Sequence, residues 1–587
     1  MMKETVQFPM TWDLHSIFEG GSDSNEFTEF FNETNKQLDQ WLDKPSVQVE
    51  ELVQAIETIS PRLWQTAAFV SCLAAQDVKD KQALLLAENV QEQKVKAQKL
   101  YLSLEEELRS MSDDAFNRLL TNEQVKPSAY LLKKTRSHAL DKMNTEKEEL
   151  ATKLAKDGYH AWGSVYNEAV GRMVIPFEED GETKMLSAGQ LHNRLGSTDR
   201  QVRERASEAA LHAWEEQAPL FTQTLNRLAG FRLKLYEERG WENVLKEPLE
   251  LNGMTEDTLN TMWATITKNK PEFYAYMDKK ATLLGVDQLS IHDVGAPLPL
   301  EDASKNTIPY EEACHLIIKH FNRFSPKMAE FAEMALREGW VEAENRSGKR
   351  PGGFCTNFPM NKETRIFMTY DGSMSNVATL AHELGHAYHS WCLKDNDVQS
   401  QKQYPMSIAE TASTFAEMIV ADALVDEAES SDVKKMLLEN KLSRSLAFFM
   451  NIHSRFLFET RFYEERKNGM VPTERLNELM VDAQKEAYGD KLSSYDPYFW
   501  ASKLHFHITG QPFYNFPYTF GYLFSMGIYA RALKSETSFE SAYISLLQDS
   551  GSMTVEALAE KHLNVDLTKP DFWQEAIDVV LEDIRKF

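Results

Sequence analysis

Apolar residues recur at helical spacing along most of this chain, and that periodicity constrains the fold more than any other feature. Phe27, Phe30, Phe31, Leu38, Trp41 and Leu42 fall on one stripe at steps of three and four. Leu52, Val53, Ile56 and Ile59 follow Pro45-Ser46, a reasonable helix start. Residues 81–110 are rich in Ala, Leu, Glu, Gln and Lys, all strong helix formers; 187–245 and 432–466 read the same way. Strand signals are few. They are Met173–Phe177 before an Asp180-Gly181 turn, the weaker Leu289–His292, and the pair Gly353–Asn357 and Arg365–Tyr370 around Pro359, Asn361 and Lys362. The expectation is a mainly α protein with one small β-sheet.

A length of 587 residues would allow about four domains. The boundaries are soft. Residues 1–190 read as a helical N-terminal region, and 191–587 carry all the recognisable chemistry. A hydrophobic content of 42% is ample for large cores and excludes global disorder. The net charge of −26 makes nucleic acid and anionic membranes poor partners, because both need basic patches. Cys72, Cys314, Cys355 and Cys392 stand far apart with no CxxC pair, which fits a reduced cytosol. The start, Met1 to Gln7, lacks the layout of a signal peptide. No apolar run approaches the ~20 residues that span a bilayer; Ala67 to Ala75 is interrupted by Ser71. A cytoplasmic location is the simplest reading, and the oligomeric state is not encoded in any feature of this kind.

The chemistry centres on His382-Glu383-Leu384-Gly385-His386, an H-E-x-x-H. On a helix the two histidines project from one face and can reach one tetrahedral metal at ~2.0–2.1 Å. Glu383 sits beside the first ligand, pointing toward a metal-held water. Nitrogen and carboxylate ligands with one open position suit zinc. Val377, Leu380, Ala381, Leu384 and Ala387 bury the helix around the histidines. The bland alternative is a helix with two solvent-facing histidines.

Such a site needs a third protein ligand. The extended pattern H-E-x-x-H-x-x-G-x-x-H fails, because His389 and Cys392 occupy the positions of its Gly and last His. A carboxylate on a second helix is the other solution. Glu410 lies 24 residues past His386, among small and apolar residues where an unpaired carboxylate is costly and a metal would remove that cost. Glu417, two turns further on the same face, could orient an imidazole N–H. Both glutamates could instead be solvated surface residues. His389 reads as a neighbour of the ligands or a core residue, and Cys392 has no assignable role.

The segments H-E-L-G-H-A-Y-H and A-E-T-A-S-T-F-A-E resemble the oligoendopeptidase F and Pz-peptidase branch of the thimet oligopeptidase family of zinc peptidases. Thr11-Trp12-Asp13-Leu14 and the run Pro512 to Tyr522 resemble the same branch, so the likeness touches both ends and the middle. It implies a zincin-type helical metallopeptidase with a deep substrate channel, walled by the N-terminal region. It implies one Zn2+ per chain, held by His382, His386 and Glu410, with Glu383 as general base. Near the C-terminus it implies a histidine and tyrosines that contact substrate and oxyanion. Tyr514 and Tyr518 match best, Tyr522 is a further candidate, and His505 is preferred over His507.

The resulting expectation is a zinc-dependent endopeptidase acting on short unstructured oligopeptides. Glu383 would take a proton from the attacking water and deliver it to the leaving amine. Substrate backbone should pair with an edge strand just before the metal helix. The Gly352-Gly353 loop and the Arg365–Tyr370 strand are the candidates for that wall, glycine permitting close backbone approach. Two other readings compete. One is a zinc carboxypeptidase with a similar helical body; the other is a non-catalytic peptide-binding protein with a structural zinc, against which the intact Glu383 argues.

Overall fold

The computed structural model describes residues 8–44, 47–299, 307–535 and 539–587. Pro45-Ser46 and the segment Met1 to Gln7 lie outside them. The chain divides into two compact units that alternate along the sequence. The first comprises Met1–Lys142, Lys305–Ala423 and Arg531–Asn564; the second comprises Met143–Ser304, Leu424–Ala530 and Val565–Phe587. This is a division of packing, whereas the sequence reading at residue 190 is a division of role.

In the first unit the helix Val49–Gln76 pairs with Lys81–Ser110. The first opens on a capping box between Gln48 and Glu51, and the second on Asp80, whose carboxylate accepts from Ala83 N at 2.9 Å. Leu52, Val53, Ile56 and Ile59 pack with Leu100, Leu104 and Leu108 in one core, as the three–four spacing requires. Phe27 and Leu38 of the helix Asn25–Leu42 are fully buried, and the rest of that stripe is partly buried.

The second unit is built on Arg200–Arg239 and Glu256–Leu284, which end at Gly240 and Gly285, both left-handed. Lys280 and Glu439 form an ion pair in its core. The ammonium also donates to Val294 O at 2.7 Å and Ser443 Oγ at 2.9 Å, so no donor is stranded.

Two sheets occur among the described residues, not one. Strands β1 (Ile175–Glu179) and β2 (Glu182–Leu186) form a hairpin in the second unit, turned by Asp180 and Gly181, both at positive φ. The alternation was readable at β1; the charged, exposed β2 was not. The other sheet is in the first unit. It joins β3 (Val341–Glu342), β4 (Phe354–Phe358) and β5 (Glu363–Phe367) in the order β3-β5-β4. β3 runs parallel to β5, and β4 antiparallel. The expected wall strand Arg365–Tyr370 is thereby corrected. Its ordered part is β5, which is central, so the free edge belongs to β4. Leu289–His292 forms no strand; it is held to Ser493 and Ser494 by only two backbone bonds.

The N-terminal Thr11 to Leu14 segment braces this sheet from behind. Trp12 and Leu14 are buried in a core with Phe358, Phe367 and Phe69. The buried Arg365 donates to Asp13 O and Ser16 Oγ, each at 2.9 Å. No helix of the described residues is long and apolar enough to cross a membrane.

Candidate active site

The H-E-x-x-H segment lies on the helix Met374–Leu393, hereafter the metal helix. Ser373 caps it by accepting from Asn376 N, and Val377, Leu380, Ala381, Leu384 and Ala387 are fully buried. That burial turns His382 and His386 to one side, with ring centroids 4.9 Å apart. The partner helix is Met406–Glu427. Gly385 lets the two come together. A Cβ built there would lie 2.5 Å from Ala412 O and 2.6 Å from Ser413 Cα, so nothing larger than hydrogen fits.

The close approach brings Glu410 to both histidines. Its Oε2 is 3.3 Å from His382 Nε2 and 3.6 Å from His386 Nε2. Zinc–ligand bonds of about 2.0–2.1 Å in a tetrahedron place ligand atoms about 3.3–3.4 Å apart. Two imidazole nitrogens and one carboxylate oxygen, all within 4.8 Å of one another, therefore fit one such ion. Ser413 Oγ donates to the same Oε2 at 2.9 Å and orients the carboxylate.

The far nitrogen of His382 is held as well. His382 Nδ1 is 3.1 Å from Glu417 Oε2. A carboxylate accepts, so when Nε2 is given to a metal the remaining proton of His382 has an acceptor at Nδ1. Burial lowers the His386 pKa to about 4, with the charge of His382 adding to it. Burial would raise the Glu410 pKa, but the hydrogen bond with His382 and the charge of His386 hold it at about 2. The donors are thus a neutral imidazole and a carboxylate, as a divalent ion requires.

Glu383 is 7% exposed, and its Oε2 has no hydrogen-bond partner among the described residues. Burial raises its pKa to about 7; the charge of His382 opposes this and that of Glu410 adds to it. A buried carboxylate with a free oxygen and affinity for a proton near neutral pH has the properties of a general base. Gly353, at the mouth of β4, faces it: a Cβ there would sit 3.3 Å from Glu383 Oε1 and 3.2 Å from Phe367 O. Gly352 is in the left-handed region at φ 93 with open space around it.

The free edge of β4 follows from the hydrogen bonds of β5. Ile366 N and Met368 N donate to Trp340 O and Glu342 O on the β3 side. Their neighbours Arg365 and Phe367 therefore pair with Thr356 and Phe354 of β4. Cys355 and Asn357 turn their backbone groups outward.

His389 is fully buried. Its Nε2 bonds to Ser550 Oγ at 2.9 Å and its ring stacks on Tyr404. It fills the core behind the site and is not among the converging ligands.

The C-terminal candidates form a second cluster, in the second unit. His505 lies 5.3 Å from Tyr514 by ring centroids, and the Tyr514 and Tyr518 hydroxyls are 3.4 Å apart. Arg455 joins them by bonding His505 Nδ1 at 3.3 Å and Asn515 Oδ1 at 2.9 Å. Burial, then the charges of Arg455 and Lys503, lower the His505 pKa to about 4. His507 is 1% exposed and stacked on Tyr166, so of the two histidines His505 has the accessible edge. Tyr522 is buried, stacked on Phe448 and bonded to Ser445 Oγ at 2.7 Å, which leaves it no face for substrate.

Sequence reasoning missed Gly385, Ser413, Arg455 and Asn515. Gly385 alone carried a signal: a glycine between the two histidines of a buried helix marks a close neighbour.

A family model described as Peptidase family M3 matches residues 195–579, and one described as Oligopeptidase F matches residues 107–174. Oligopeptidase PepF of Bacillus subtilis is 23% identical, covering 100% of this chain and 88% of the relative. Group B oligopeptidase PepB of Streptococcus agalactiae is 26% identical over 70% of this chain and 68% of its own. Among solved structures, Pz peptidase A with an inhibitor matches with a TM-score of 0.72 at 18% identity, covering 96% of this chain and 97% of that one. Oligoendopeptidase F from Enterococcus faecium matches with a TM-score of 0.67 at 18% identity, covering 96% of each chain. At these identities the structural likenesses speak for the fold.

Proposed function

The chain belongs to peptidase family M3 and is a metallo-oligoendopeptidase, and we propose that it hydrolyses short unstructured peptides at internal bonds with zinc as its metal. The observation that carries this reading is the convergence of His382, His386 and Glu410 beside a buried, unpartnered Glu383. When bound, the zinc would activate water and polarise the scissile carbonyl.

The chain's own groups do the rest. His382 and His386 present Nε2, and the other nitrogen of His382 is tied to Glu417. Glu383 accepts the proton of the attacking water on its free oxygen and passes it to the departing amine. Substrate backbone pairs with the outward N–H and C=O groups of Cys355 and Asn357, adding a strand to the edge of β4. Gly353 keeps the space beside Glu383 open. The resemblance of the C-terminal segment gives His505, Tyr514 and Tyr518 the role of hydrogen-bond donors to the developing oxyanion.

The test is mass spectrometry of products from peptides blocked at both ends, with and without a chelator, alongside metal analysis. Internal cuts that stop with the chelator and return with zinc support the reading. Absence of internal cuts in blocked peptides would point to a carboxypeptidase, and chelator-insensitive cleavage would remove the metal from the mechanism.

A further inference from the structure

The face of the metal helix that bears His386 continues past it. Ser390 Oγ bonds back to His386 O, and Lys394 follows one turn later. There the helix and the far end of β4 border a small cleft open to solvent. Trp64, Asn357 and Trp391 line it together with three lysines, Lys362, Lys394 and Lys402.

The charges are unevenly matched. Lys362 is paired with Asp395 at 2.8 Å. Glu363, the one acid lining the cleft among the described residues, is taken by Arg365 at 2.8 Å. Lys394 Nζ lies 3.0 Å over the Trp391 ring, and Lys402 Nζ donates to Lys394 O at 3.3 Å. Neither ammonium has an ion pair among the described residues. Other acids act from a distance, Asp395 on both lysines and Asp397 and Glu57 on Lys402, the last already accepting from Ser400 N. Burial lowers the pKa of both lysines; the charge of Lys362 adds to it and that of Asp395 opposes it. In a protein of net charge −26 this concentration of ammonium groups is local and directed into one cleft.

We propose that the cleft is a subsite for a carboxylate of the oligopeptide, held by Lys394 and Lys402, and that it selects acidic peptides. The proposal rests on the peptidase reading and on β4 as the substrate-pairing edge. Gly353 beside Glu383 and Asn357 at the cleft are four residues apart, about 13 Å of strand. A peptide paired along β4 therefore brings a side chain to the lysines three or four positions from the cut. Trp64 and Trp391 give the stem of a Glu side chain an apolar wall. The carboxylate can come from a side chain or from the peptide's C-terminus.

Cut sites of a neutral peptide blocked at both ends are mapped first. Variants then carry Glu, Gln or Lys three or four positions from the cut, on either side, and one arm ends there with a free carboxylate. The readout is the ratio of kcat/KM against the Gln peptide, taken within each enzyme form. The full-length enzyme should favour a carboxylate arm by about fivefold at low salt, the order expected of two partly exposed ion pairs. The ratio should fall toward one in 0.5 M NaCl, roughly a Debye length below 5 Å. In the Lys394→Met, Lys402→Met double variant it should lie within twofold of one. Preference for the internal Glu arm identifies the side chain as the source; preference for the free-end arm alone identifies the C-terminus. A ratio near one for every arm in the unsubstituted enzyme, or an undiminished ratio in the double variant, overturns the proposal while cleavage itself stands. Failure to cut any peptide overturns the peptidase reading and the subsite with it.

Discussion

The Cα of Gly353 faces the carboxylate of Glu383 so closely that a methyl group on it would lie 3.3 Å from Oε1. The tip of an edge strand and the proposed base on the metal helix thus share one small space. Gly353→Ala should crowd Glu383 without touching a metal ligand. We expect kcat to fall about tenfold or more, since small misplacements of a reacting group cost of that order. Zinc content by elemental analysis should stay at the parent level.

Glu383→Gln keeps the shape of the site and removes the proton acceptor. It should retain metal while kcat drops by about 100- to 10,000-fold, the usual worth of a positioned base. Single-turnover kinetics on a fluorogenic blocked peptide would measure it. Turnover within tenfold of the parent would dismiss Glu383 as the base.

Glu417 meets His382 at Nδ1, the ring nitrogen turned away from Glu410. Glu417→Gln should weaken zinc affinity by about 10–100-fold, because the imidazole loses the carboxylate that fixes its tautomer. Competition with a chromophoric chelator reads this directly. Helical content by circular dichroism should not change.

Gly385→Ala would place a methyl group within 2.6 Å of the Ser413 backbone. The metal helix and its partner must then part. We expect a loss of about 1–3 kcal/mol, seen as a lower Tm. A drop in zinc affinity should accompany it, since Glu410 moves with the partner helix.

The second unit carries an acid-sensitive lock. Burial would raise the Asp293 pKa, but hydrogen bonds from Ser290 and from Arg203, the latter 2.9 Å away, hold it at about 2 against an ordinary 3.8. A depressed pKa means that the folded state binds the proton less readily than the unfolded chain. The stabilisation is therefore complete above about pH 4 and is lost as pH falls toward 2. It amounts to roughly 2 kcal/mol. Asp293→Asn should flatten the dependence of Tm on pH across that window.

The helices were legible because burial of one face imposes a spacing that survives in a single sequence, as with Leu52, Val53, Ile56 and Ile59. The H-E-x-x-H pair was legible for the same reason, since residues four apart on a helix share a side. β2 and β3 were not: one is charged and exposed, the other two residues long, and neither alternates. The edge and the centre of the second sheet could not be told apart, because hydrogen bonding to β3 decides which strand is inside.

The sequence by itself determined a mainly helical protein with two imidazoles one turn apart and a carboxylate beside the first, since these follow from local geometry. Only the tertiary structure decided that Glu410 and Glu417 reach those imidazoles from two turns of one neighbouring helix. It also decided that β4 is the open edge and that Gly353 guards the space before Glu383. These relationships join residues 24 to 35 positions apart, and only the packing of Gly385 against Ala412 and Ser413, and of β4 against β5, sets the distances between them.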